Sequence, residues 1–437
     1  MKQQLCILWD ASHIWGLMAW RAATALRLPF RLLKASEIAQ GALSCKPPAL
    51  LLAPGGTARL KAAALGPAGK QAIRDFVANG GAYLGFCGGA GLGLTGDGGL
   101  GLCPWQRAPY VDRLQHLVSG HVLAKTTAHP LCPEAVAAPP AREHGGMRSL
   151  PVWWPGRFAP PAEPDKGEGN GVRVLAAYSR PDRDLCLADI PLASLPQDIF
   201  GAWQALYGIN MRADFLTDQP CILQGTFGRG TYVLSYSHLE TPDSPDANAW
   251  LAHLLRTLAG LTPHGDTLPP WDEDRLPTRR PKHRETTPLF RARAGLMRLM
   301  RLGTRHNLIF RRTPWLRGWR TGIPGAALNN LHAALCTALS LPPTAEALRF
   351  WQAQKDRVRA LLPLFIQGTE GYLLAERLGT TLAAGLPDVV DRRGLKAQRE
   401  ALFGRPMEGG GLYQELLDIA DELVFLLARE ASCPEDV

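Results

Sequence analysis

Gly81-Ala-Tyr-Leu-Gly-Phe-Cys87-Gly-Gly-Ala-Gly-Leu-Gly93 begins as a short apolar strand, Ala82 to Phe86, and breaks abruptly into glycine. A cysteine stands at the break, within Gly85-Phe86-Cys87-Gly88-Gly89. Small-x-nucleophile-x-small is the pattern of a nucleophile elbow, here with sulfur in place of the usual serine. A nucleophile on so tight a strand-to-helix turn sits in strained backbone, so its neighbours must lack bulky side chains. The turn also aims the amide of the next residue, Gly88, at a developing oxyanion. A competing reading makes Cys87 a small buried hydrophobe beside a loop, as most free cysteines are.

Upstream, Leu5 to Trp9 reads as a buried strand, and Ile14 to Leu28 as a helix ended by Pro29. Phe30 to Leu33 is a second strand. Ala49 to Ala53 is a third, apolar throughout and so central in a parallel sheet, and it ends in Pro54-Gly55-Gly56. A helix over Ala68 to Val77, closed by Asn79-Gly80-Gly81, leads into the Cys87 strand. Such alternation predicts a parallel sheet with helices on both faces, whose site lies at the strands' carboxyl ends. Both Gly-Gly breaks lie at such ends and share one edge of the sheet.

Downstream, residues 101–165 are rich in proline and read as elaborated loops, with Val152-Trp153-Trp154 as a short strand or a lid-like aromatic patch. Val172 to Tyr178 and Cys221 to Phe227 read as strands. Gly228-Arg-Gly230 is a hairpin turn to a partner strand, Thr231 to Tyr236, which delivers Ser237-His238-Leu239-Glu240. Ala247 to Leu258 forms a closing helix capped by Asp246.

A chain of 437 residues has room for two domains or three small ones. Nine irregularly spaced cysteines predict a reducing compartment. No Cys-x-x-Cys or paired histidines supply a structural metal site, so neither a metal nor a cofactor is expected. The first apolar run stops at Asp10 without a cleavage signature, and no segment has the apolar length of a membrane span, so the cytoplasm is expected. The formal charge is +9, yet fourteen Lys/Arg against one acid lie between Arg275 and Arg320, leaving the rest of the chain net acidic.

The domain organisation expected is an α/β domain over 1–262 with its insertion at 101–165 and a proline-rich charged linker over 263–288. A basic amphipathic segment over 289–325 and an all-α domain over 326–437, of four or five helices, follow. At helical spacing Leu289, Leu296, Leu299 and Met300 group opposite Arg291, Arg298, Arg301 and Arg305. Such a helix has two readings: a solvated face whose apolar side packs on its own protein, or docking on an anionic membrane surface through 289–320. Nucleic acid is disfavoured, because no Arg- and aromatic-bearing module is recognisable. The helical domain is expected to bring a protein partner or a substrate.

On an extended strand end, residues two apart point the same way, so Glu240 lies beside His238. An imidazole oriented by a carboxylate is a standard base for a nucleophilic thiol, and a histidinium lowers the thiol's pKa. The alternative is a surface His and Glu in a loop. The glycines offer one rival motif: Gly91-x-Gly93-x-x-Gly96 with Asp112 matches a dinucleotide fingerprint, but Asp97-Gly-Gly-Leu-Gly101 is poor sequence for the helix it requires.

Taken in order, Pro54-Gly55-Gly56, Gly81-x-Tyr83-Leu84-Gly85-x-Cys87-x-Gly89 and His238-x-Glu240 resemble the class I glutamine amidotransferase-like fold. Within it, Leu65-Gly-Pro-Ala-Gly69 and Arg74-x-Phe76-Val77-x-x-Gly80-Gly81 are similar to the biotin–protein ligase N-terminal domain family. The likeness spans roughly residues 1–260 and implies a flavodoxin-like sheet. It implies Cys87 as nucleophile, His238 as base, Glu240 as orienter, and the Gly56 and Gly88 amides as oxyanion hole. It thus implies a cysteine-dependent amidase or acyl-transfer enzyme acting on a small-molecule or peptide amide. Gly91 stands where glutamine amidotransferases carry a glutamine, four residues after the nucleophile, so free glutamine is not the expected substrate. The C-terminal part lacks the strand-rich pattern of a biotin ligase catalytic domain, so biotin transfer is not expected. The alternative is a non-catalytic ligand-binding or scaffolding protein on the same frame.

Overall fold

The computed structural model describes residues 4–431 except 97, 109–117, 135–144, 162–170, 188–189, 197, 209, 211, 213–215, 273–286, 313–316, 320–323 and 406–407. Asp112 and most of the 263–288 linker therefore lie outside the described residues. The chain divides into two compact units, Met1–Pro270 and Trp271–Pro434.

The first unit is built on a mixed sheet. Strands β1 (Leu5–Leu8), β2 (Phe30–Leu33), β3 (Leu50–Ala53) and β4 (Ala82–Phe86) alternate with helices α1 (Ile14–Ala25), α2 (Ala35–Ala39), α3 (Ala42–Cys45) and α4 (Ala58–Ala78). A short helix α5 (Gly88–Gly93) follows the elbow. Then come β5 (Gln106–Arg107), β6 (Val118–Thr126), β7 (Arg148–Trp153), β8 (Phe158–Ala159), β9 (Arg173–Pro181), β10 (Cys186–Leu187) and β11 (Ile190–Pro191). Helix α6 (Ile199–Tyr207), the hairpin β12 (Pro220–Phe227) and β13 (Gly230–Ser235), and helix α7 (Pro245–Ala259) complete the unit.

β2, β1, β3, β4 and β13 lie side by side in that order and all parallel. This is the flavodoxin-like order, the fold class that the alternation predicts. Every residue of β1, β3 and β4 is buried, as a sheet covered on both faces requires. Cys6 and Leu8, Leu51 and Ala53, Tyr83, and Tyr232 and Leu234 share one face and pack with Ile38, Leu65, Ile73 and Val77 of α2 and α4. Helix α1 packs on β1 and contributes no residue to that cluster, and α7 packs on β3.

Beyond β13 the sheet continues antiparallel through β12, β9, β6, β10 and β11, with β7 added to β6. This corrects the reading of 101–165 as loops, since nine-residue β6 and six-residue β7 both lie there. The sequence of β6, Val118-Ser-Gly-His-Val-Leu-Ala-Lys-Thr126, has no two-residue alternation, since Val122, Leu123 and Ala124 are buried in succession, which hides it from pattern reading. β7 tolerates Pro151 because it is an edge strand, paired with β6. Helix α4 also starts ten residues earlier than the expected Ala68, continuing across a break at Gly66 (φ 58°) and Pro67. Asp246 does not cap α7: the cap position is Ser244, and Asp246 accepts the Ser149 N–H at 2.8 Å and pairs with Arg148 at 3.5 Å.

The second unit holds α8 (Thr287–Arg305), a ribbon of β14 (Ile309–Arg311) and β15 (Arg317–Trp319), then α9 (Pro324–Ser340), α10 (Ala345–Leu382), α11 (Arg392–Phe403) and α12 (Gly411–Ala431). Thr344 caps α10 and Asp391 caps α11 through side-chain bonds to the first-turn amides of Ala347 and Gly394. Leu289, Leu296, Leu299 and Met300 of α8 are buried, and α8 packs on α9 and α10. Arg291, Arg298, Arg301 and Arg305 are exposed. The apolar side of this helix is thus spent within its own unit, and its arginine face is left exposed. Among the described residues no helix is long and apolar enough to cross a membrane.

Candidate active site

Parallel pairing decides which loops meet. Ala53 of β3 is level with Gly85 of β4, which is level with Leu234 of β13, and Phe86 is level with Ser235. The residues that follow each strand therefore emerge together: Pro54-Gly55-Gly56, Cys87-Gly88-Gly89 and Tyr236-Ser237-His238. The Cys87 N–H donates to Ser235 O at 2.7 Å, joining the elbow to the strand that delivers the histidine.

Cys87 has φ 46° and ψ −104°, a conformation that side-chain-bearing residues rarely adopt and that elbows impose on their nucleophile. The glycines after it are sterically required. A Cβ on Gly88 would sit 1.9 Å from Gly56 O, so the two glycines expected to form an oxyanion hole are in backbone contact. Gly56 itself has φ +108° and lies against Ala11 O of the β1–α1 loop. As the first helical residue of α5, Gly88 has an amide with no intrahelical acceptor. Tyr83 anchors α5 from below, its buried hydroxyl donating to Gly89 O at 2.7 Å.

His238 and Glu240 are each 1% exposed, and Nδ1 of His238 lies 2.8 Å from Oε1 of Glu240. The His238 N–H donates to Pro151 O at 2.9 Å, so edge strand β7 holds the histidine's backbone. Asn248, buried in α7, ties down the same loop: its Nδ2 donates to Leu239 O at 3.1 Å and Thr241 O at 2.7 Å. Its Oδ1 accepts the Leu268 N–H at 3.1 Å. Trp15, from the first turn of α1, stacks on the imidazole with ring centroids 4.3 Å apart and planes 25° apart. Gly55 backs both rings; a Cβ there would be 2.8 Å from His238 Cε1 and from Trp15 Cγ.

Burial alone would lower the His238 pKa, but the Glu240 carboxylate beside it and then the Cys87 thiol hold it up to about 10. Burial pushes the Cys87 thiol upward, yet His238, and behind it the positive charge of Arg107, bring it below the ordinary cysteine value. Cys6, Cys103, Cys132 and Cys221 go the other way, all raised by burial. Cys87 and His238 thus sense each other electrostatically, while His238 Nε2 has no hydrogen bond of acceptable geometry among the described residues. Resting catalytic pairs are often this loose before substrate tightens them.

Two other constellations separate from the site. Gly91 and Gly93 fall inside and at the end of α5, so the Gly-x-Gly-x-x-Gly stretch closes a helix where the dinucleotide fingerprint must open one. Asp184, His121 and Ser244 form a chain with the spacing of a serine triad, 2.8 Å and then 2.9 Å. Its burial is inverted: Ser244 is 2% exposed whereas the Asp184 side chain is 51% exposed. A nucleophile shut from solvent behind an acid in water ties β6 to the loop after Glu240. Among the described residues no group of three or more His, Cys, Asp or Glu is placed to hold a metal.

Sequence reading did not find Trp15, Asn248, Pro151 or Arg107. Only the tertiary fold brings them to the loop, and none carries a local signature.

Residues 38–95 match the family model of the biotin-protein ligase N-terminal domain. The match takes in β3, α4, β4 and the elbow with Cys87, and stops before His238 and Glu240. Similar solved structures include a glutamine amidotransferase, at 16% identity and TM-score 0.34 over 59% of this chain and 98% of that one. PurLQS from Thermotoga maritima is similar at 11% identity and TM-score 0.37, over 59% of this chain and 100% of that one. A β-galactosidase from Bacillus circulans sp. alkalophilus is similar at 12% identity and TM-score 0.35, over 60% of this chain and 32% of that one. At such scores the fold rests on the sheet order itself. No curated protein matches the sequence.

Proposed function

We propose that the chain is a cysteine-dependent amidase or acyl-transfer enzyme with Cys87 as nucleophile, His238 as acid and base, and Glu240 as its orienter. The observation that carries this reading is the convergence of a positive-φ cysteine and a buried, carboxylate-bound histidine at the ends of adjacent parallel strands. In the resting pair the proton resides on His238, which Glu240 favours, leaving Cys87 as thiolate. The thiolate attacks a substrate carbonyl carbon, and the oxyanion is received by the Gly56 and Gly88 amides. His238 then donates its proton to the departing amine as the C–N bond breaks, leaving an acyl-thioester on Cys87. Water or an acceptor amine, deprotonated by His238, attacks the thioester and releases the acid or new amide, restoring the thiolate–imidazolium pair. Gly91 in place of the amidotransferases' glutamine points to a substrate other than free glutamine.

Comparing wild type with Cys87→Ala in a metabolite screen tests the reading; turnover that survives the substitution overturns it. A second reading, a ligand-binding or scaffolding protein on the same frame, is favoured by the unpartnered Nε2 of His238. It predicts binding without turnover, and equal ligand affinity in wild type and Cys87→Ala.

A further inference from the structure

We propose that Arg107 is the substrate anchor of this site, so that the acyl compound attacked by Cys87 carries a carboxylate which the guanidinium holds. The proposal rests on the reading of Cys87 as nucleophile. Arg107 ends β5, and β8 sets Phe158 opposite it. The Phe158 ring lies 4.2 Å from that of Tyr236, the first residue after β13 and two before His238. Gly156 is pressed onto the same tyrosine, where a Cβ would be 2.7 Å from the ring. The Ala108 N–H donates to Arg157 O at 3.1 Å, continuing the ribbon. The β5–β8 ribbon is thereby laid across the end of β13, at the edge where Cys87 stands.

Charge favours the same role for Arg107. With the thiolate and Glu240 negative and His238 positive, the reacting cluster carries one net negative charge, and an anionic substrate would be repelled from it. Arg107 supplies the compensating cation, and its field reaches the sulfur. It is exposed and forms no ion pair among the described residues. An arginine that served the thiolate alone would be buried against it, whereas an exposed fork is open to an incoming ligand. A planar guanidinium with parallel N–H donors matches a carboxylate bidentately, which an ammonium does not.

The test uses two alkylating probes of similar size, iodoacetate and neutral iodoacetamide, with rates read at the Cys87 peptide by mass spectrometry. If Arg107 anchors carboxylates, the iodoacetate-to-iodoacetamide rate ratio falls about tenfold in Arg107→Gln and further in Arg107→Glu, with Arg107→Lys in between. The iodoacetamide rate itself changes less than about twofold. A ratio unchanged in Arg107→Gln and Arg107→Glu overturns the proposal, as does an equal fall with both probes, which would mean that Arg107 serves only the thiolate. Failure of the underlying reading looks different: wild-type Cys87 would react with iodoacetamide no faster than exposed Cys45.

Discussion

At Glu240 a buried carboxylate lies 2.8 Å from the imidazole of His238. It is the largest influence holding the His238 proton on, and that proton in turn lowers the thiol. Glu240→Gln keeps the shape and removes the charge, so the iodoacetamide pH–rate profile of Cys87 should move to higher pH, and turnover at neutral pH should fall about 10²-fold or more. An unmoved profile would mean that Glu240 does not govern the thiol. The same coupling has a stability consequence. Because the His238 pKa is raised from 6.5 to about 10, its stabilisation is complete below 6.5 and is lost as pH rises through about 10. Urea melts should therefore show the gap between wild type and Glu240→Gln narrowing from pH 6.5 to 10. Gly88 is a steric case: Gly88→Ala forces a methyl against Gly56 O and should cost about 1–3 kcal/mol, read as a lowered urea midpoint.

Among the elements, β7 and α7 do for the site what the elbow cannot do for itself. β7 holds the His238 N–H through Pro151 O, and α7 holds the carbonyls on both sides of Glu240 through Asn248. Asn248→Ala leaves two buried carbonyls and the Leu268 N–H without their partner, a loss of about 1–3 kcal/mol. It should slow Cys87 alkylation as well as lower stability. A destabilised variant with wild-type alkylation would show that Asn248 supports the fold without setting the histidine.

Over the whole molecule, each unit has its own core, which the first builds around the sheet and the second around α9. Residues 1–270 expressed alone should unfold cooperatively and keep the Cys87 alkylation rate of the full chain; loss of either would place part of the site's support in the second unit. Apolar runs make β1, β3 and β4 legible in the sequence, because a strand covered on both faces must be apolar throughout, while bounding turn residues mark β2, β12 and β13. The ends of α9, α10 and α11 are legible too, since Pro342-Pro343, Gly385-Leu-Pro387 and Gly404-Arg-Pro406 follow them and cannot continue a helix. Strand β6 is not, because its consecutive buried residues Val122, Leu123 and Ala124 carry no alternation.

The sequence by itself determined that a cysteine follows one strand and His-x-Glu another, because glycine at the elbow and two-residue spacing act over a few bonds. Only the tertiary structure decided that the two strands are neighbours and parallel, so that both ends open on one edge. It also decided that Trp15 covers the imidazole, that Asn248 and Pro151 pin its loop, and that Arg107 stands opposite Phe158, whose ring meets Tyr236 at the end of β13. These are contacts between segments tens to hundreds of residues apart. They follow from strand order and crossover hand, which no local pattern of side chains encodes.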